Sequence, residues 1–412
     1  MTRPVVVTGV GVCAANGTGV PSFWDALIHG TSGIGTITAF DATQLRSRIA
    51  GEVTDFTPEK HVPDRTLKRL ARFSQLALVA ALEALEQAGI AKGPERENVA
   101  LVIGSGIGGF DMLEREHQTF LSKGPGRFSP LTIPMIIPSM AAGALAIETT
   151  CRGINLCLST ACASGAHSIG TALDLIRSGR AEVAVAGASE STISPFAVDG
   201  YCQLRALSTR NEEPQRASRP FDADRDGFVI AEGAGVLVLE SKEHARGRGW
   251  EPLAELAGYG ASSDGHHLTA PDPEGDGAVR AMRAALDDAE LLPDQVDIVN
   301  AHGTSTLLND VIETTAIKRV FGDHASSLMI HSTKSMIGHS LGASAAIEAV
   351  VAVQTLTQEI VHPTINLECP DPMCDLDYVP GDARKVKARS VMSNAFAFGG
   401  HNAVLVFSQP IA

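Results

Sequence analysis

The sequence predicts an α/β fold built from two similar halves, and three observations carry that reading. Short apolar, β-rich runs alternate with helical patterns. The same alternation restarts after about residue 250. One strand-to-helix segment is also echoed: INLCLSTACASGAHSIGTALDLI at 154–176 and MIHSTKSMIGHSLGASAAIEAVVAV at 329–353 both run through Ser-Thr and small residues into a helix.

In the first half the predicted strands are PVVVTGVGV (4–12), VALVIGSG (99–106), INLCLST (154–160), EVAVAGAS (182–189) and AGVLVLE (234–240). Their continuous apolar character predicts a sheet covered on both faces. RFSQLALVAALEALEQAG has helical periodicity and stops at Gly89, the residue type that ends helices. The second half offers PLAELAGYG (252–260), VDIVNAHG (296–303), LMIHST (328–333), ARSVMSNA (388–395) and NAVLVF (402–407). No Ser- or Pro-rich linker separates residues 1–250 from 251–412, so the halves are expected to pack as one unit.

Composition narrows the function. The 412 residues are 44% hydrophobic and 19% charged, which fits a globular chain. Thirty-three Lys plus Arg against 47 Asp plus Glu give a net charge of −14, which argues against nucleic acid or an anionic membrane as partner. Seven cysteines without a C-x-x-C pair fit neither a disulfide framework nor a zinc knuckle, so a reducing compartment is expected. The opening residues read as a strand rather than a signal segment, and Pro130, Pro134 and Pro138 interrupt the apolar run 128–147; a cytoplasmic, non-membrane protein is expected. TGVGVCAANGTG resembles a dinucleotide loop but has Ala14 where G-x-G-x-x-G needs glycine, and no acidic residue follows at the usual distance.

Cys162 lies at the seam between strand and helix, among residues no larger than threonine. At a helix N-terminus, unpaired backbone N–H groups favour a thiolate, so Cys162 is the candidate nucleophile. Cys13, Cys151, Cys157, Cys202, Cys369 and Cys374 read as inert buried cysteines. Among thirteen histidines, His302 ends an apolar strand and His339 precedes the echoed helix, the places where α/β folds assemble sites. Lys334 and Glu313 could form a supporting ion pair. Asp264, His266 and His267 lack a further ligand at metal-site spacing, so no metal is expected.

STACASGAH, NAHGTST, STKSMIGHSLGA and NAFAFGGHNA, in this order and with ALSTRNEEPQRASRPFDADRDGFVIAEGAGVLVLE, resemble the elongating β-ketoacyl-acyl carrier protein synthases of the thiolase superfamily, most closely the bacterial fatty-acid synthase II type. The resemblance covers essentially the whole chain. It implies a thiolase-like fold, two βαβαβ-type halves in α/β/α/β/α layers, catalysing decarboxylative Claisen condensation of an acyl-enzyme with malonyl-carrier protein. Cys162 would carry the acyl group, and His302 and His339 would support decarboxylation. Lys334 would tune the histidines with Glu313 as its countercharge, and the N–H groups of Cys162 and Phe398 would form the oxyanion hole. Phe398 would also gate the acyl pocket. Thr304, Thr306, Thr269, His267, Ala397 and Gly399 would contact substrate. No cofactor is implied beyond the phosphopantetheine arm of the acyl carrier protein.

Carrier docking would use Arg65, Lys68 and Arg69, at helical spacing, with Arg127 and Arg205; Arg72 reads as a solvated helix-face residue. A homodimer is expected, with a heterodimer containing a chain-length partner as the alternative. The chain departs from the family pattern at Leu307, Ser340, Ser344 and Ala397, positions that bear on pocket shape. A ketosynthase of a type II polyketide system would use the same residues. Priming enzymes carry asparagine where this chain has His339, true thiolases a second active cysteine, and non-catalytic partner subunits lack the nucleophile.

Overall fold

The apolar runs become the strands of one long sheet, in a computed structural model that describes residues 3–90, 93 and 96–410. In chain order the strands are β1 (Val5–Ala14), β2 (Ala100–Gly104), β3 (Asn155–Leu156), β4 (Val183–Glu190), β5 (Gly233–Ser241), β6 (Ala254–Ser263), β7 (Ile298–Asn300), β8 (Met329–His331), β9 (Ser390–Ala397) and β10 (His401–Ser408). Their spatial order is β8-β7-β9-β10-β6-β1-β5-β4-β2-β3, with the short strand Gly17–Thr18 pairing off β1. Each half therefore repeats one plan. Its third, second and fourth strands are parallel neighbours, and its fifth pairs antiparallel with the fourth and first. The halves join where β1 meets β6 over two residue pairs, Val6 with Glu255 and Val7 with Ala254.

Helices complete the layers: α1 (Arg72–Gln87), α2 (Ser164–Arg177), α3 (Asp276–Asp288), α4 (Asn309–Phe321) and α5 (Ser344–Gln358). The echoed segments supply α2 and α5, which pack on each other and on strands of both halves. This central layer forms the largest apolar cluster. A second cluster lies under α1 and a third under α3 and α4, so five layers alternate helix and sheet. Ser344 to Leu356 are all buried, which is why α5 reads as apolar nearly all round instead of as one stripe. The glycines of the opening motif serve packing: a Cβ on Gly11 would stand 2.0 Å from the Ala80 carbonyl oxygen of α1.

Several local expectations change. INLCLST yields only two strand residues, because the chain turns early to place Cys162, with Ala161 at φ 49. Arg65 falls in a single turn, Asp64–Leu67, so Arg65, Lys68 and Arg69 share no longer helix. Arg72 is no solvated face residue; its guanidinium binds the buried Glu232 carboxylate at 2.6 and 2.7 Å and the Val53 carbonyl at 2.8 Å. The run 128–147 breaks into Thr132–Ile136 and Met140–Thr149 around Pro138. No helix among the described residues is long and apolar enough to cross a membrane.

Candidate active site

The two echoed segments bring the chemistry together. A Cβ on Gly165, in the first turn of α2, would lie 2.6 Å from the Ala346 backbone nitrogen of α5, so glycine there lets the two helix starts approach. Cys162 precedes α2 and His339 precedes α5. His339 Nε2 lies 3.0 Å from Cys162 Sγ. His339 is stitched in place by its N–H donating to the Val229 carbonyl at 2.7 Å, and by the Ala231 N–H donating to its own carbonyl at 3.0 Å. The edge of the Phe228 ring meets its imidazole, with centroids 5.2 Å apart.

His302 follows β7, and its ring centroid lies 5.4 Å from that of His339. Its turn is held from α4, where the Glu313 carboxylate accepts the N–H groups of His302 and Gly303, each at 2.8 Å, and the Asn394 side-chain N–H at 3.1 Å. Glu313 is therefore not the countercharge of Lys334. That partner is Glu348, in the middle of α5, whose Oε1 lies 2.5 Å from Lys334 Nζ with both side chains buried. The signal was a lone charge in the apolar run GASAAIEAVVAV, missed because spacing alone offered Glu313 equally well.

Electrostatics correct the expectation of a thiolate at rest. Burial pushes the Cys162 thiol up to about 12, against smaller opposing contributions from Lys334 and from the backbone N–H groups of Phe398 and of Cys162 itself. The helix begins at Ser164, with Ala163 as its cap, so the sulfur lies beyond the first turn, where a helix terminus acts most strongly. Burial, reinforced by Lys334, also drives His302 and His339 well below the ordinary histidine value, so both imidazoles are neutral at neutral pH. The arrangement is a protonated nucleophile touching a neutral base, with two backbone N–H donors at the sulfur. A second neutral imidazole stands alongside.

The whole group opens into a cavity of about 510 Å³, which Cys162, His302, His339, Phe396 and Phe398 line. Comparisons with known proteins show the family. The β-ketoacyl synthase N-terminal domain matches residues 2–245 and the β-ketoacyl synthase C-terminal domain residues 253–368. The chain belongs to the β-ketoacyl synthase family. It is 46% identical to 3-oxoacyl-[acyl-carrier-protein] synthase 2 of Synechocystis over 99% of this chain and 98% of that protein. Among solved structures, the ishigamide ketosynthase/chain length factor superposes with TM-score 0.92 at 36% identity, covering both chains fully. A type II polyketide acyl-carrier protein in complex with its ketosynthase bound to the hexaketide gives TM-score 0.91 at 35% identity, again with full coverage.

The remaining sequence-derived positions in this β-ketoacyl synthase divide by location. Thr304, Thr306, Thr269 and Ala397 line the cavity, and the Thr304 and Thr306 hydroxyls lie 2.9 Å apart. Their loop is buttressed from the RPFDADRDGF segment: Arg225 donates to the Thr306 carbonyl at 2.9 Å and the Leu307 carbonyl at 3.1 Å. Gly399 takes φ 80, and its N–H donates to the Leu268 carbonyl at 2.8 Å. His267 does not line the cavity. It is exposed, and its Nδ1 accepts the N–H groups of Thr269 and Ala270, so it shapes the loop that presents Thr269. Arg205 stands at the cavity, whereas Arg65, Lys68, Arg69 and Arg127 are exposed away from its lining. Asp264, His266 and His267 form no metal-type cluster, nor does any other acidic, His or Cys group among the described residues. Cys369, read as buried, is exposed.

Proposed function

We propose that this chain is a chain-elongating 3-oxoacyl-[acyl-carrier-protein] synthase, condensing a Cys162-bound acyl group with malonyl-carrier protein. The observation that carries the reading is the 3.0 Å contact between Cys162 Sγ and His339 Nε2 at the base of a cavity that His302 shares. In acyl transfer, His339 Nε2 takes the thiol proton as sulfur attacks the incoming thioester carbonyl. The oxyanion forms against the N–H groups of Cys162 and Phe398. Collapse expels the carrier's pantetheine thiolate, which takes the proton from His339.

Malonyl-carrier then enters. Its C–C bond to the carboxylate breaks, carbon dioxide leaves, and the electron pair moves towards the thioester oxygen, where N–H donors from His302 and His339 hold the enolate. The enolate carbon attacks the acyl carbonyl and Cys162 leaves as thiolate, which takes a proton from water. Neutral donors suit this step: they stabilise negative charge without a competing proton loss to solvent. Side chains and backbone carry every step, with both substrates on the phosphopantetheine arm.

The homodimer belongs to this reading because β3 is a sheet edge with both residues exposed, and Ile133, Ile137 and Ile147 are exposed apolar side chains as well. Carrier docking would draw on Arg65, Lys68, Arg69, Arg127 and Arg205, and the compartment would be the cytoplasm. A polyketide ketosynthase is the second reading, favoured by the type II polyketide synthase ketosynthase structure that superposes over the full chain. Incubation with acyl- and malonyl-carrier of several lengths, with products read by mass, tests both. A single two-carbon extension as 3-oxoacyl product supports the first, repeated extension to a poly-β-keto chain the second, and no release of carbon dioxide refutes both.

A further inference from the structure

His339 is required in opposite states by the two half-reactions. Acyl transfer needs a bare Nε2 to accept the thiol proton, which places the ring proton on Nδ1. Enolate stabilisation needs Nε2–H, which leaves Nδ1 bare. A buried ring nitrogen without a partner is costly in either form. Whatever meets Nδ1 therefore biases the tautomer. A carbonyl would favour the Nδ1–H form and a backbone N–H the Nε2–H form.

The group that meets Nδ1 is the Ser344 hydroxyl, 2.8 Å away and buried in the first position of α5. A hydroxyl both donates and accepts, and rotates to suit. The internal repeat shows that this is a local choice. Aligning ACAS at 161–164 with LGAS at 341–344 makes Ser164 the counterpart of Ser344. Ser164 turns its hydroxyl onto its own backbone, donating to the Ala161 carbonyl at 2.7 Å and accepting the Thr160 N–H at 2.9 Å. Ser344 gives its hydroxyl to His339 instead.

We propose that Ser344 is a positioning residue for His339, holding its imidazole through Nδ1 in both tautomers so that both stay populated for the two half-reactions. The inference rests on the condensing function above. Ser344 does not line the cavity, so its loss acts through the ring and not through substrate binding.

The test measures acylation of Cys162 and carbon dioxide release from malonyl-carrier separately in wild type, Ser344→Ala and Ser344→Thr. Imidazole ¹⁵N spectra of the resting protein are added, with His339→Asn identifying the His339 signals. Expected are a loss of roughly tenfold in the rate of each half-reaction in Ser344→Ala with KM for both carriers unchanged, recovery in Ser344→Thr, and wild-type His339 shifts intermediate between the two tautomers. Wild-type rates in Ser344→Ala, loss confined to one half-reaction, or a single tautomer in the wild-type spectrum overturns the proposal. If Ser344→Ala does not fold, the Ser344→Thr rates and the wild-type spectrum decide. A wild type inactive in both half-reactions refutes the condensing function instead, and the spectrum still reads the role of the hydroxyl.

Discussion

Lys334 Nζ and Glu348 Oε1 lie 2.5 Å apart in the central helix layer, and both side chains are buried. The Lys334 charge raises the potential at Cys162 and opposes protonation of His302 and His339. Glu348 keeps that ammonium compatible with burial. Removing either partner alone leaves an uncompensated charge among apolar neighbours.

Glu348→Ala is therefore expected to cost about 3–5 kcal/mol of stability, the range for breaking a buried pair. The double variant Glu348→Ala, Lys334→Met should recover much of it, while Glu313→Gln, which leaves Lys334 paired, should cost less. Denaturant melts of the four proteins check this. A double variant no more stable than Glu348→Ala would mean that the pair is not the source of the loss.

The histidines are expected to separate kinetically. His339 touches the sulfur and His302 does not, so His339→Ala should slow both acyl transfer and decarboxylation, by on the order of 10²-fold or more. His302→Ala should spare acyl transfer and remove decarboxylation. Cys162→Ala should show no acyl adduct by intact mass, whereas Cys157→Ser should acylate normally. An acyl adduct that persists on Cys162→Ala would place the nucleophile elsewhere.

Much of this site was legible from residue order alone. The echoed segments predicted two similar halves, each with a strand running into a helix, and Cys162, His302 and His339 stood at the strand and helix ends where the fold gathers them. The partner of Lys334 was not legible, because Glu313 and Glu348 both follow it or precede it at plausible distance and only packing selects between them. The thiol's protonation state was misjudged for a related reason: a sequence shows a helix start, but burial is a property of the assembled layers. His267 was misplaced because loop direction depends on the N–H groups its own ring captures.

Stability should depend on pH through Glu190. Burial raises this carboxyl to about 7, against the pull of the Gly106, Ile107 and Gly342 N–H groups and the Ser105 hydroxyl. The folded state thus keeps the proton that the unfolded chain loses near 4.5, so stability falls as pH rises from about 4.5 to 7 and then levels. The contribution is about 3 kcal/mol across that window. Glu190→Gln should lose this dependence, so the gap between its denaturation midpoint and that of wild type should change between pH 5 and 7.5. A constant gap would show that Glu190 is ionised throughout.

The carrier docking proposed above draws on a local basic surface in a chain of net charge −14. Arg65, Lys68 and Arg69 are exposed around one short turn, with Arg205 beside the cavity. Lys68→Glu with Arg69→Glu should raise KM for carrier-bound substrates and flatten its salt dependence, while kcat holds. Arg205→Glu should do the same more strongly, since Arg205 lines the cavity itself. Unchanged kinetics in both variants would remove these residues from docking.

The gating role proposed for Phe398 rests on its place at the cavity. The residue lines the cavity, its N–H reaches the Cys162 sulfur, and Gly399 and Gly400 follow it with φ 80 and 70. Those two left-handed glycines would serve as a hinge on one side, while Ala397 on the other lies in extended backbone and has fewer conformations open to it than glycine. A ring hinged this way can cover the pocket before acylation and clear it once a fitting chain is bound. Phe398→Ala is expected to speed acylation by poorly fitting chains and to weaken discrimination between acyl- and malonyl-carrier. Ala397→Gly should loosen the gate at a cost of no more than about 1 kcal/mol in stability. Acylation rates over a series of chain lengths decide the matter: profiles for Phe398→Ala that overlay wild type would show that the ring only packs, whereas flattened profiles with an unchanged maximum would show that it selects.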